Sequence, residues 1–136
     1  MATFDTNVVL RVLYLDDDVE QAERAGRAWR TELAGEGAHV PTIVLVEVAW
    51  VLTRRAKADR SAVARVLRTL CDTEGVTIEH EDRVRRALIR YAAGPADFSD
   101  YLILEAARDA GALPVITFDE RFVREAEVEV PRAGEP

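Results

Sequence analysis

Cysteine occurs once in the 136 residues, at Cys71, and lysine once, at Lys57. A single cysteine excludes an internal disulfide and leaves no thiol cluster for zinc. No apolar run is long enough to cross a bilayer. The N-terminus has no basic stretch followed by an apolar one, so no signal peptide is expected. Together these absences point to the cytoplasm and to no membrane role. There is also no internal repeat, low-complexity segment or linker. Hydrophobic residues make up 49% and charged residues 32%, which fits a folded chain rather than a disordered one. The length predicts one domain over residues 1–130, with 131–136 as a loose tail.

The net charge of −7 counts against broad, unspecific polyanion binding. It does not exclude phosphate chemistry, because clustered acids can be neutralised by bound cations. All the basic residues but Lys57 are arginines, the better fork for phosphate.

Read in order, Ala2 to Asp5 begins as a strand, and Asp5-Thr6-Asn7 offers turn and cap chemistry before a short apolar segment, helix or strand, at Val8–Leu13. Asp16-Asp17-Asp18 reads as loop and cap, with Asp17 and Glu20 spaced as a capping-box variant. A helix over Val19–Leu33 places Ala22, Ala25, Trp29 and Leu33 on one face. Gly35 and Gly37 end it. After a brief extended piece at His39–Pro41, Thr42 opens Ile43–Leu52, where periodicity alone does not separate helix from buried strand. Its length and the basic end at Arg54, Arg55 and Lys57 favour helix. A further helix starts at Asp59 and Ser61, and Val76–Ile78 is a strand. Glu81–Tyr91 is a helix with Val84, Leu88 and Tyr91 inward, stopped by Gly94-Pro95. Asp97–Ala110 is another, with Gly111 just past its end. Val115–Phe118 reads as a buried strand, Arg121–Glu125 as a last turn or short helix, and Val128–Val130 as an edge strand. Strands alternating with helices predict an α/β fold with a mainly parallel central sheet sandwiched between helices. Sites in such sheets form beyond the carboxyl ends of strands, where Asp5 and Asp119 fall.

Glu47 stands with four apolar residues on each side. A buried carboxylate in such a run costs several kcal/mol unless it is paired or metal-bound. The plainer reading is that one side of this helix is wet, or that Arg54 or Arg55 pairs with it. Asp97 and Asp100, three apart, share a helix face. Asp97 reads first as an N-cap, and Asp100 complements the helix dipole. Asp119 suits a turn, and Thr117 a strand. Singly each acid is more easily a cap or a turn; the weight lies in the combination. Three or four carboxylates can hold hard cations such as Mg²⁺ or Mn²⁺, which take oxygen ligands together with water and substrate phosphate.

The segments Asp5-Thr6-Asn7-Val8, Val44 to Leu52 around Glu47, Asp97-Phe98-Ser99-Asp100-Tyr101-Leu102-Ile103 and Thr117-Phe118-Asp119 resemble, in order and spacing over nearly the whole chain, the PIN-domain proteins, and among them the VapC-type toxins. The resemblance implies a PIN-like fold and a Mg²⁺- or Mn²⁺-dependent endoribonuclease. It implies metal ligands at Asp5, Glu47, Asp100 and Asp119, with Asn7 and Thr117 in support and Asp97 as a secondary acid. It also implies a homodimer held inactive by a small VapB-like antitoxin. Nothing in the acidic pattern departs from the family. Arg54, Arg55, Arg86 and Arg90 are candidate RNA contacts, against the more ordinary reading as solvated helix faces. Trp29 and Trp50 are core or interface residues.

Two other functions compete. A non-catalytic module could use the same fold to bind RNA or protein, and Asp100→Asn would then leave function unchanged. A phosphoryl-transfer or phospho-acceptor domain would usually place a lysine beside the phosphate, and Lys57 follows no predicted strand.

Overall fold

The computed structural model describes residues 1–13 and 18–134. Asp16, Asp17 and the last two residues lie outside them, so the expected capping box from Asp17 and the end of the expected tail do too. The chain divides into two units, Met1–Glu81 and Asp82–Pro136.

In the first unit the order is β1 (Ala2–Thr3), α1 (Thr6–Leu13), α2 (Val19–Ala34), β2 (Ala38–Val40), α3 (Thr42–Arg54), α4 (Arg60–Asp72) and β3 (Val76–Ile78). The three strands form a parallel sheet with β2 in the middle, Ala2 opposite Ala38 and Ala38 opposite Val76. Parallel neighbours need a crossover rather than a tight turn, and here each crossover is a pair of helices. The middle strand is the buried one: Ala38 and Val40 are inaccessible. Its entry depends on Gly37, at φ +108°, where a Cβ would come within 2.8 Å of the Gly75 carbonyl oxygen. Only glycine tolerates that conformation and that approach.

The helices follow the apolar spacing. Ala22, Ala25 and Trp29 bury one face of α2, and Val63, Ala64, Leu67 and Leu70 one face of α4. Asp18 caps α2 by accepting from the Gln21 amide at 3.0 Å, and Asp59 caps α4 by accepting from Ala62 at 2.8 Å. Trp29 meets Phe4 edge-on, ring centres 5.1 Å apart. The ambiguous run after Thr42 is helix, as its length suggested. Its N-terminus is satisfied from afar. The Thr42 amide donates to Glu79 Oε1 at 3.0 Å, and the Thr42 hydroxyl donates to the Glu79 carbonyl at 2.8 Å. That amide bond is the main reason the Glu79 carboxyl sits below its ordinary range.

In the second unit, α5 (Glu81–Ala93, starting on the last residue of the first) is followed by α6 (Phe98–Asp109), β4 (Val115–Ile116), a 3₁₀ turn (Phe122–Arg124) and β5 (Val128–Glu129). β4 and β5 pair in parallel, Val115 opposite Val128. Gly111 follows α6 in the left-handed conformation, as its position predicts. Tyr101 and Phe122 are buried and meet edge-on, with ring centres 6.3 Å apart. The predicted buried strand at Val115–Phe118 is corrected: β4 ends at Ile116, which is exposed, and Phe118 is 80% exposed. Exposure alternates along the segment, so its apolar residues do not all face a core.

All strand pairs among the described residues are parallel, and the α/β class expected from the alternation is present. Among the described residues no helix is long and apolar enough to cross a membrane.

Candidate active site

At the carboxyl end of β1, Asp5 is the cap of α1. Its Oδ1 accepts from the Val8 amide at 3.1 Å, while its carbonyl receives the first helical bond, from Val9, at 3.0 Å. One residue on, the Thr6 hydroxyl donates to Glu47 Oε1 at 2.8 Å, fastening the start of α1 to the middle of α3. Asp5, Thr6, Asn7, Glu47, Trp50 and Arg55 line one open cleft of about 490 Å³. The sequence named Asp5, Asn7 and Glu47 as site residues and missed Thr6. A hydroxyl between two named residues was the available signal.

Glu47 is exposed, so the buried charge suggested by its apolar neighbours is not found. Val44, Leu45, Val48, Ala49 and Leu52 take the buried face of α3, leaving Ile43, Glu47 and Trp50 on the open one. A period of 3.6 residues puts the flanking apolar residues on both sides of the helix.

In the second unit, Asp97 is the N-cap residue of α6, and its amide donates back to Asp100 Oδ2 at 3.1 Å. This is the reciprocal arm of a capping box. The Asp100 carboxyl lies above its ordinary range, chiefly through burial. The Asp97 amide bond opposes that shift, the negative charges of Asp97 and Asp119 add to it, and Arg121 offsets it. Asp119 Oδ1 accepts from the amides of Arg121 at 2.9 Å and Phe122 at 3.1 Å. Its own amide donates to Thr117 Oγ1 at 3.1 Å. Thr117 therefore fixes the turn that holds Asp119, just past the end of β4. Arg121, which the sequence did not single out, stands 3.6 Å from Asp97 Oδ1.

Asp5, Glu47, Asp100 and Asp119 share one feature. Each commits one carboxylate oxygen to a hydrogen bond, and the other oxygen accepts from no described residue. The caps and turns foreseen as the ordinary reading are present at Asp5, Asp97, Asp100 and Asp119, while the Thr6 hydroxyl holds Glu47. Among the described residues there is no group of three or more His, Cys, Asp or Glu side chains able to hold a metal ion.

The candidate RNA contacts divide. Arg55 lines the cleft, and Arg54 lies over the Trp50 ring, 5.8 Å from its centre. Arg86 and Arg90 belong to an ion-pair network. Arg86 binds Asp109 at 2.7 Å and Glu105 at 3.1 Å. Arg90 binds Glu125 at 3.0 Å and Glu127 at 2.9 Å. These two guanidinium groups are engaged by carboxylates of their own unit.

The PIN domain family model matches residues 2–128. A VapC ribonuclease from Aquifex aeolicus (strain VF5) is 28% identical over 124 residues, covering 90% of this chain and 90% of that protein. With the family match spanning nearly its whole length, this chain belongs to the PIN-domain family.

Proposed function

We propose that the protein is a Mg²⁺- or Mn²⁺-dependent endoribonuclease, the toxin of a VapBC-type pair, acting in the cytoplasm as a homodimer restrained by a VapB-like antitoxin. The observation that carries this reading is the state of the four acids, each held by one oxygen with the other left over. The donor set is carboxylate oxygen throughout, supported by Asn7 and Thr117, and that chemistry suits hard divalent cations. The relative named as a VapC ribonuclease supports the substrate class.

In this reading Asp5, Glu47, Asp100 and Asp119 are the ligands, with Asp97 secondary. A bound cation would supply Lewis acidity, lowering the pKa of water and offsetting the charge that develops at the phosphodiester. The chain's own contribution is orientation. The Thr6 hydroxyl fixes Glu47, the helix cap fixes Asp5, the turn bonds fix Asp119, and the Asp97 amide fixes Asp100. Residues 1–130 act as one PIN domain. Arg55, at the cleft, is the better placed of the candidate phosphate contacts.

Thermal unfolding with and without Mn²⁺, on wild type and Asp100→Asn, tests the reading. A ligand of the folded state alone stabilises by about 2.7 kcal/mol at roughly one hundred times its Kd, so Mn²⁺ should raise the wild-type midpoint and leave that of the variant unchanged. Without metal the variant should be the more stable at neutral pH. A carboxyl whose folded pKa is raised costs stability when ionised, and that cost disappears as pH falls through the folded value. If Mn²⁺ moves neither protein, and purified wild type cuts no RNA with Mg²⁺ or Mn²⁺, the reading is wrong.

A further inference from the structure

Among the described residues of the first unit, Trp50 is the large aromatic side chain left exposed. Trp29 is buried against Phe4, whereas Trp50 is 51% exposed. An indole normally buries a large apolar area, so half-exposure on a well-packed helix is a standing cost. Its position is specific. It lies one turn beyond Glu47 on the same face of α3, and it lines the same cleft as Asp5, Asn7 and Glu47. Two arginines accompany it: the Arg54 guanidinium carbon stands 5.8 Å from the ring centre, and Arg55 lines the cleft.

We infer that Trp50 is a stacking platform for an unpaired nucleobase of the RNA beside the acidic cleft, with Arg54 and Arg55 taking adjacent phosphates. This rests on the ribonuclease reading and adds to it how a strand is seated. Single-stranded RNA is bound through bases stacked on aromatic rings and through a basic track along the backbone. A half-exposed indole flanked by arginines and bordering candidate metal ligands meets both needs. Charge complementarity favours this occupant. Arginine beside the ring attracts phosphate, while the carboxylates of the cleft would repel the same phosphate unless cations lie between. Stacking also tolerates any base, so Trp50 fixes where a strand lies without selecting its sequence. It is a positioning residue.

The test uses a single-stranded RNA of about 12 nucleotides with Ca²⁺ in place of Mg²⁺, so that the cleft carboxylates are neutralised while cutting is suppressed, beside an abasic strand of equal length. Trp50 emission should be quenched by the RNA and not by the abasic strand. In Trp50→Phe the remaining Trp29 emission should be unaffected by RNA. Trp50→Ala should bind the RNA roughly 5- to 100-fold more weakly, while Trp50→Phe, which keeps a ring, retains most of the affinity. With Mg²⁺, Trp50→Ala should raise KM and leave kcat nearly unchanged, as expected when uniform binding is lost.

Equal RNA affinity in Trp50→Ala, or equal quenching by the abasic strand, overturns the inference. So does wild-type emission that ignores RNA while Trp50→Ala changes the sedimenting species, since a second copy of the chain then covers the ring. The two readings fail separately: wild type that cuts RNA no better than Trp50→Ala removes the platform alone, whereas wild type that neither binds nor cuts RNA removes the ribonuclease reading.

Discussion

Two groups of acids in this protein answer to opposite rules. Around Glu105 every carboxylate has a guanidinium. Glu105, 2% exposed, faces Arg86 at 3.1 Å, Arg108 at 3.4 Å and Arg90 at 3.6 Å. Asp109 takes Arg83 and Arg86, and Glu127 takes Arg90 and Arg108. In the cleft of the first unit, Asp5 and Glu47 are held by an amide and a hydroxyl instead. A guanidinium satisfies a carboxylate's charge, and an amide or hydroxyl satisfies only one lone pair. The first group is electrostatically closed. The second keeps charge and coordinating oxygen to offer, which is why the candidate chemistry belongs there and the network reads as scaffold.

Four substitutions or titrations break or sharpen that contrast. Glu105→Gln should have the largest effect, about 3–5 kcal/mol of lost stability, because it leaves guanidinium groups beside a buried site without their counter-charge. Urea unfolding measures it, and a loss below about 1 kcal/mol would mean the network is solvated after all. Asp5→Asn should do the reverse. Asn caps a helix as well as Asp, so stability should hold within about 0.5 kcal/mol while RNA cleavage falls at least about 100-fold. A variant with normal turnover would restrict Asp5 to its cap.

The acid limb of stability comes third. The Glu127 carboxyl is held down to about 2 by its bond to Arg90, then by Arg108, from an ordinary 4.5. A lowered folded pKa gives stability that is complete above the unfolded value and lost as pH falls through the folded one. Stability should therefore drop between about 4.5 and about 2, by roughly 2 kcal/mol after allowing for partial exposure, and Glu127→Gln should flatten that slope. Thr6→Val should have the smallest effect. Losing the hydroxyl that orients Glu47 should cut turnover about tenfold, within the range for supporting contacts to metal ligands. Its effect on the melting midpoint should be slight, because the site is open to water.

How far the site was legible varied by residue. Asp5, Glu47, Asp100 and Asp119 stand out in the sequence as carboxylates at helix starts and strand ends, or inside an apolar run. Their caps and turns were also foreseeable from local rules. The wet side of α3 was one of two open readings, since a helix of mostly apolar residues shows no clear stripe. Thr6, Arg121 and Glu79 were not foreseen. Each acts through a partner far along the chain: 41 residues away for Thr6, 37 for Glu79, and back at Asp97 for Arg121. The network around Glu105 was hidden for the same reason: Arg83, Arg86 and Arg90 look like an ordinary solvated helix face until Glu105, Asp109, Glu125 and Glu127 are brought to them.

By itself the sequence determined what is local. Helical period, cap residues, the glycine after α6 and the alternation of strand with helix are set by neighbours a few residues apart, where sterics and hydrogen bonding act directly. It also pointed to the family, through the order of its acidic segments, and the family model matching residues 2–128 agrees with that reading. Tertiary structure alone decided which arginines are spent in ion pairs, which of the two tryptophans is buried, and which carboxylate oxygens remain unused. Those outcomes depend on which distant groups meet. A charge or an indole has no fixed role until the fold supplies, or withholds, its partner.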